Sequence, residues 1–145
     1  MNKNKPVILL DPYPRTMDIL FSKVNLKFLK NNFTLLKAPK NNKKNFYIKN
    51  LPHAEYIFGQ PNLPTELIRT QTKLKAIFNV ESNFMDNMDY DYCFKNNIHV
   101  LATSPVFAQP VAEMALGLTL SIARSIHIAH NDFVKGKEKY GGEIS

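Results

Sequence analysis

Apolar positions along the chain alternate between two spacings. Pro6-Val-Ile-Leu-Leu-Asp11 is a short apolar run ending at Asp-Pro, which predicts a buried strand followed by a loop. Met17, Leu20, Phe21, Val24 and Phe28 then recur at helical spacing, predicting a helix from about Thr16 to Lys30 that stops at Asn31-Asn32. Phe33 to Leu36 reads as a second strand, and the Lys/Asn-rich stretch from Lys40 to Lys49 as a loop. Ala54 to Gly59 predicts a third strand, closed by Gly59, Pro61 and Pro64. A short helix over Pro64–Arg69 has proline at its first position. Leu74 to Val80 is a further strand, and Asp89 to Asn96 a short helix with Asn97 as a left-handed cap. His99 to Ala102 is the last strand. Pro110 then opens a long helix to about Val134, with Lys135-Gly136 as its cationic and glycine stop.

Strands alternating with helices imply parallel strands joined by crossovers. The fold expected is α/β, a flavodoxin-like parallel sheet with flanking helices, plus a long C-terminal crossing helix. That helix is apolar on most sides, through Met114, Leu116, Leu118, Leu120, Ile122 and Ile126. A helix apolar nearly all round must be covered by something. At about 24 residues it spans roughly 36 Å, more than a domain this small can cover. A partner surface, from another domain or another subunit, is therefore expected. The stretch Val111 to Ala129 also carries Glu113, Arg124 and His127, and so reads as a buried helix rather than a membrane span.

Composition narrows the picture further. The 145 residues suit one domain, and 44% hydrophobic with 21% charged residues fits a soluble globular protein. The apolar run Val7 to Leu10 is too short for a signal peptide, which makes the cytoplasm the default location. The net charge of +7 is unevenly placed: residues 1 to 50 hold eleven Lys/Arg against Asp11 and Asp18. Lys40 to Lys49, with Phe46 and Tyr47 between cations, has the look of a nucleic-acid site. Only three of the nineteen basic residues are Arg, the usual choice for bidentate phosphate and base recognition, and a solvated Lys/Asn surface is favoured instead. Cys93 stands alone and reads as a small core residue. His53, His99, His127 and His130 form no metal pattern, so no metal site is expected. Glu113 reads as an acid in the first helical turn after Pro110, favoured there by the helix dipole rather than by catalysis.

From Leu74 to Gly141 the sequence resembles the D-isomer-specific 2-hydroxyacid dehydrogenases. The resemblance is carried in order by Leu74-Lys-Ala-Ile77, Val80-Glu-Ser-Asn-Phe-Met-Asp-Asn-Met-Asp89, Asn97-Ile-His-Val100, Ser104-Pro105 and Val111-Ala-Glu-Met-Ala-Leu-Gly-Leu118. It implies a substrate domain over 1–109, then the crossing helix and the start of an NAD(P)-binding domain over 110–145. It implies NAD or NADP as cofactor and a 2-hydroxy or 2-keto acid as substrate. By position, Ser82, Asn83, Phe84 and Met85 would bind substrate, with Asn83 also touching the cofactor. A homodimer through the long helix is expected from the uncovered apolar surface described above. Consecutive backbone N–H groups in a tight loop bind a carboxylate without needing a cation. The family usually has glycines where Ser82 and Phe84 stand here. A plain strand-to-helix loop capped by Asp86 and Asn87 is the other reading of these residues.

No G-x-G-x-x-G turn occurs in the sequence, and the family's catalytic Arg, Glu and His fall beyond the matched region. The chain is therefore expected to hold no catalytic residue, to be a fragment truncated before the dinucleotide motif, and to be inactive alone. Two other readings stand beside this one. A stand-alone α/β binding or regulatory domain, such as a phospho-receiver, is suggested by Asp11 at a strand end, although Tyr56-Ile-Phe-Gly59 offers no phospho-accepting Asp. The other is the basic nucleic-acid binder.

Overall fold

The computed structural model describes residues 5–69, 73–81, 83–139 and 141. The chain divides into two compact units, Met1–Ser104 and Pro105–Ser145. In the first, β1 (Val7–Asp11), β2 (Thr34–Lys37), β3 (Tyr56–Gly59), β4 (Ala76–Phe78) and β5 (His99–Leu101) form a parallel sheet in the order β2-β1-β3-β4-β5. This is the flavodoxin-like order that the alternation predicts. Leu9, Ile57, Ile77 and Val100 lie side by side across four strands and share one face of the pleat. Against that row pack Tyr47, Leu51, Leu63, Ile68, Met88 and Cys93, all buried. On the opposite face the Phe58 and Phe78 rings stack at 4.6 Å, and Phe21 meets Phe58 edge-on at 5.2 Å.

Two of the expected helices and one expected loop differ in the structure. The helix expected over Thr16–Lys30 is two, α1 (Met17–Leu20) and α2 (Lys23–Asn32), parted at Phe21 and Ser22, both in extended backbone. The Ser22 Oγ accepts from the Asn25 backbone N–H at 3.2 Å, so the serine caps a new helix rather than sitting inside an old one. The break also lets Phe21 turn onto the sheet, an aromatic contact a continuous helix would not require.

The Lys/Asn stretch is not a loop: Lys43–Asn50 forms α3, followed by a 3-10 turn at Leu51–His53. Lys44 and Lys49 face solvent while Tyr47 and Leu51 enter the core. Tertiary burial of two side chains overrides a locally polar sequence here. The shorter helices α4 (Thr65–Arg69) and α5 (Tyr90–Lys95) stand where expected. The Asp89 carboxylate caps α5 by accepting from the Tyr92 N–H at 2.9 Å, and Asn97 takes the left-handed φ of 58°.

The second unit differs from the expected long C-terminal helix. Its first helix, α6 (Ser104–Ala123), starts six residues before Pro110, which lies inside it. Pro105 is the proline in the first turn, where the missing N–H costs nothing. The chain breaks again at Ser125, whose φ is 51°, and α7 (Ile126–Val134) follows. Glu113 is therefore mid-helix, accepting from Gln109 Nε2 at 2.8 Å, and the first-turn dipole argument does not apply to it. Gly136, with φ of 61°, ends α7 where the sequence placed the stop. No described residue of either helix is buried, so the helix read as buried is exposed within this chain. By length and composition alone, Ser104–Ala123 is long and apolar enough to cross a membrane.

Candidate functional site

Open parallel sheets bind ligands outside the carboxyl ends of their strands, beside the place where the strand order reverses. Here β1 has β2 on one side and β3 on the other, and the last residues of β1 and β3, Asp11 and Gly59, are in register. Gly59 has a φ of +146°, and a Cβ there would lie 2.1 Å from the Asp11 carbonyl oxygen. The close approach brings the segment after β3 against the segment after β1.

Asp11 is not free for phosphoryl chemistry. Its side chain is nearly buried and accepts from Lys43 Nζ at 2.7 Å and from the Tyr47 hydroxyl at 3.1 Å. Burial, reinforced by the adjacent Asp11 charge, pushes the Tyr47 hydroxyl well above the usual tyrosine range, so it remains a neutral donor. The group that favoured a phospho-receiver thus pins α3 to the end of β1. Cys93 is fully buried and its thiol is pushed up by burial, as an inert core cysteine should be.

The loop after β4 carries the residues that the resemblance singles out. Ser82 lies outside the described residues. Asn83, Phe84 and Met85 are exposed, the last two by 55% each. Their backbone N–H groups make no hydrogen bond among the described residues. Two of their three carbonyls, in contrast, are tied down. Asn83 O accepts from Gln60 Nε2 at 2.8 Å, and Met85 O lies 2.7 Å from the Tyr90 hydroxyl and 2.8 Å from the Asn87 N–H. Phe84 packs edge-on to Tyr90 at 5.0 Å. The Tyr90 hydroxyl is pushed up, chiefly by burial, and so stays protonated as a donor to the loop. Asn87 Nδ2 donates to Pro61 O at 2.7 Å, closing the base of the loop onto the segment after β3. Backbone N–H groups without a protein partner are the kind of group that can bind an anion. Asn87 is part of the loop's framework, while Asp86 makes no capping contact among the described residues.

Three polar side chains at this edge are not among the residues the sequence singles out. Gln60, directly after β3, Asn79, directly after β4, and Thr103, just beyond β5, each bury a side-chain polar atom with no partner among the described residues. For Asn79 this holds for both amide atoms, at 3% exposure. A polar residue inside the apolar run Leu74–Val80 was the available signal. Arg15, after β1, pairs with Glu81 at 3.2 Å and links two loops of this edge. Both partners are partly exposed, so the pair is worth at most about 1 kcal/mol. Among the described residues no His, Cys, Asp and Glu group together in a way that could hold a metal ion.

No family model and no curated protein matches the sequence. Solved structures do. A phosphoglycerate oxidoreductase from Rhizobium etli is 39% identical over 96% of this chain, with a TM-score of 0.74. The chain belongs to the D-isomer-specific 2-hydroxyacid dehydrogenase family. A 2-hydroxyacid dehydrogenase from Ketogulonicigenium vulgare, 20% identical over 95% of the chain at a TM-score of 0.62, shares the fold. So does an NADPH-dependent glyoxylate/hydroxypyruvate reductase from Sinorhizobium meliloti, 20% identical over 93% at 0.63. The chain spans 43%, 43% and 40% of those dehydrogenase-family proteins, respectively.

The described residues do not fit a whole dinucleotide. Pyrophosphate in such folds sits on a Gly-rich turn at a helix N-terminus. In this chain the loop opening toward the edge has side chains at 83–85, with Asn83 alone offering an amide of the kind that pairs with a carboxamide.

Proposed function

We propose that this chain supplies the substrate-binding half of an NAD(P)-dependent oxidoreductase that acts on the CH–OH group of a 2-hydroxy acid, in the reducing direction on a 2-keto acid. The observation that carries the reading is the row of unbonded backbone donors at Asn83, Phe84 and Met85, braced from behind by Gln60 and Tyr90. These donors take the substrate carboxylate, Asn83 reaches the nicotinamide end of NAD or NADP, and Ser82 belongs to the same loop. The cofactor's phosphate anchor and the acid that protonates the keto oxygen come from a separate cofactor-binding domain. The 145-residue polypeptide is inactive by itself, and the cytoplasm is its place of work.

Asn83→Asp tests the loop. A new carboxylate beside the bound one costs about 1 kcal/mol in a solvent-exposed site, so affinity for glyoxylate should fall roughly five- to tenfold. Affinity measured by amide chemical shifts in the wild-type and variant chains decides the matter. Equal affinities would remove Asn83 from the site.

The α6–α7 unit is proposed to cover its apolar surface against a second copy and the cofactor domain. Val111, Met114, Leu118 and Ile122 are each more than half exposed. Apolar patches beyond a few hundred Å² drive association. The isolated chain should sediment as a dimer or larger at concentrations of about tens of micromolar. A monodisperse monomer in that range contradicts this packing.

A further inference from the structure

The turns after β1 and β2 enclose a cavity of about 560 Å³ that the substrate reading does not use. Pro12, Pro14 and Pro39 stiffen its walls, and Arg15, Lys37, Lys40 and Lys43 supply its charge. Two of these cations are already engaged. Lys43 Nζ sits 2.7 Å from Asp11 Oδ1 and 5.6 Å from the centre of the Tyr13 ring, and Arg15 is paired with Glu81. Lys37 and Lys40 make no side-chain hydrogen bond or ion pair among the described residues. Four cations against the carboxylates of Asp11 and Glu81 leave two positive charges uncompensated at one concave site.

A solvated lysine face would spread such charges apart, since like charges repel. Here two strand ends and a buried carboxylate hold them around a cavity of a size usual for small ligands. We propose that this cavity binds a phosphate monoester dianion. Lys37 and Lys40 are its direct partners, and Lys43, oriented by Asp11, is the third. A phosphate monoester carries about −1.5 to −2 at neutral pH, which matches the surplus, whereas a lone carboxylate neutralises only half of it. Lysine suits a phosphate as a compact point charge.

The phosphate can come from two sources: the hydroxy acid itself, spanning from this cavity to the loop at Asn83, or a separate phosphorylated metabolite. The first source rests on the substrate reading above; the cavity's own chemistry does not. The test is an amide chemical-shift titration of the 145-residue chain with inorganic phosphate, glycerol 3-phosphate, 3-phosphoglycerate and D-glycerate. Inorganic phosphate should produce saturable shifts across residues 37–43 at millimolar concentrations or below, weakening several-fold as salt rises from about 50 to about 200 mM. In Lys37→Gln/Lys40→Gln that affinity should fall by about tenfold or more, while the melting temperature stays within a few degrees. If 3-phosphoglycerate binds at least about tenfold more tightly than inorganic phosphate and shifts both 37–43 and 83–85, the phosphate belongs to the substrate. If all phosphates bind alike and shift 37–43 alone, it belongs to a separate ligand. No saturable shift at 37–43 with about 20 mM phosphate at low salt overturns the proposal, as does an unchanged affinity in the double variant. D-glycerate shifts at 83–85 report independently on the substrate reading, so the failure of one is distinguishable from failure of the other.

Discussion

Gly59→Ala should destabilise the first unit by about 3–5 kcal/mol, enough to unfold much of a domain of ordinary stability. Two costs combine. The φ of +146° is a region that L side chains rarely adopt, worth about 1–3 kcal/mol alone. The added methyl would also stand 2.1 Å from the Asp11 carbonyl oxygen and 2.6 Å from its carbon. Both are backbone atoms of the paired strand β1 and cannot rotate away, so the strands must part. Because Asp11 also anchors Lys43 and Tyr47, displacement there should loosen α3 as well. Gly117→Ala is the control, since nothing lies within 4 Å of a Cβ at that helical position. Alanine is the better helix former by about 1 kcal/mol, so this variant should match or exceed the wild type. Urea unfolding followed by circular dichroism checks both. A Gly59→Ala midpoint equal to the wild type would mean that β1 and β3 do not approach as described.

The second large effect concerns the reaction. The 145-residue chain should bind NADH no better than about millimolar, because dinucleotide affinity rests on a Gly-rich turn and helix N-terminus that this sequence does not contain. Turnover should be absent for an independent reason. Three ionisable groups of this edge are enclosed or engaged rather than free to protonate a ketone oxygen. Cys93 is buried, Tyr90 is spent on Met85 and Asn87, and Asp11 is spent on Lys43 and Tyr47. Loss of a positioned acid costs about 10²- to 10⁴-fold by itself. NADH fluorescence titration and absorbance assays with glyoxylate, pyruvate and hydroxypyruvate check this. Micromolar NADH binding would show that the chain holds a cofactor site of its own, and turnover that survives repurification would show a complete enzyme.

The strands and their parallel arrangement were legible because their signals are local: short apolar runs punctuated by Pro, Gly and Asn. The left-handed Asn97 was legible for the same reason, whereas the helix cap is Asp89 and not the Asp86 or Asn87 that the sequence suggests. α3 was not. Its sequence is mostly Lys and Asn, and what holds it is Tyr47 in the core and an Asp11 carboxylate 32 to 36 residues away. The split at Ser22 was signalled by a serine at a capping position, but the apolar period running through it was the stronger pattern. Pro110 misled in the opposite way, since Pro105 satisfies the same rule one turn and a half earlier. At the site, Asn83, Phe84 and Met85 were reachable only through the family resemblance. Gln60 and Tyr90, which brace them, act across 23 and 5 residues and leave no spacing to read.

The proposed function requires the loop at 83–85 to be a carboxylate site. Titrating the isotope-labelled chain with D-glycerate and glyoxylate, and following every backbone amide, tests it most directly. Saturable shifts are expected at millimolar acid, largest at Asn83, Phe84 and Met85, with smaller ones at the bracing residues Gln60 and Tyr90. Shifts centred elsewhere, or none up to about 100 mM of either acid, would contradict it.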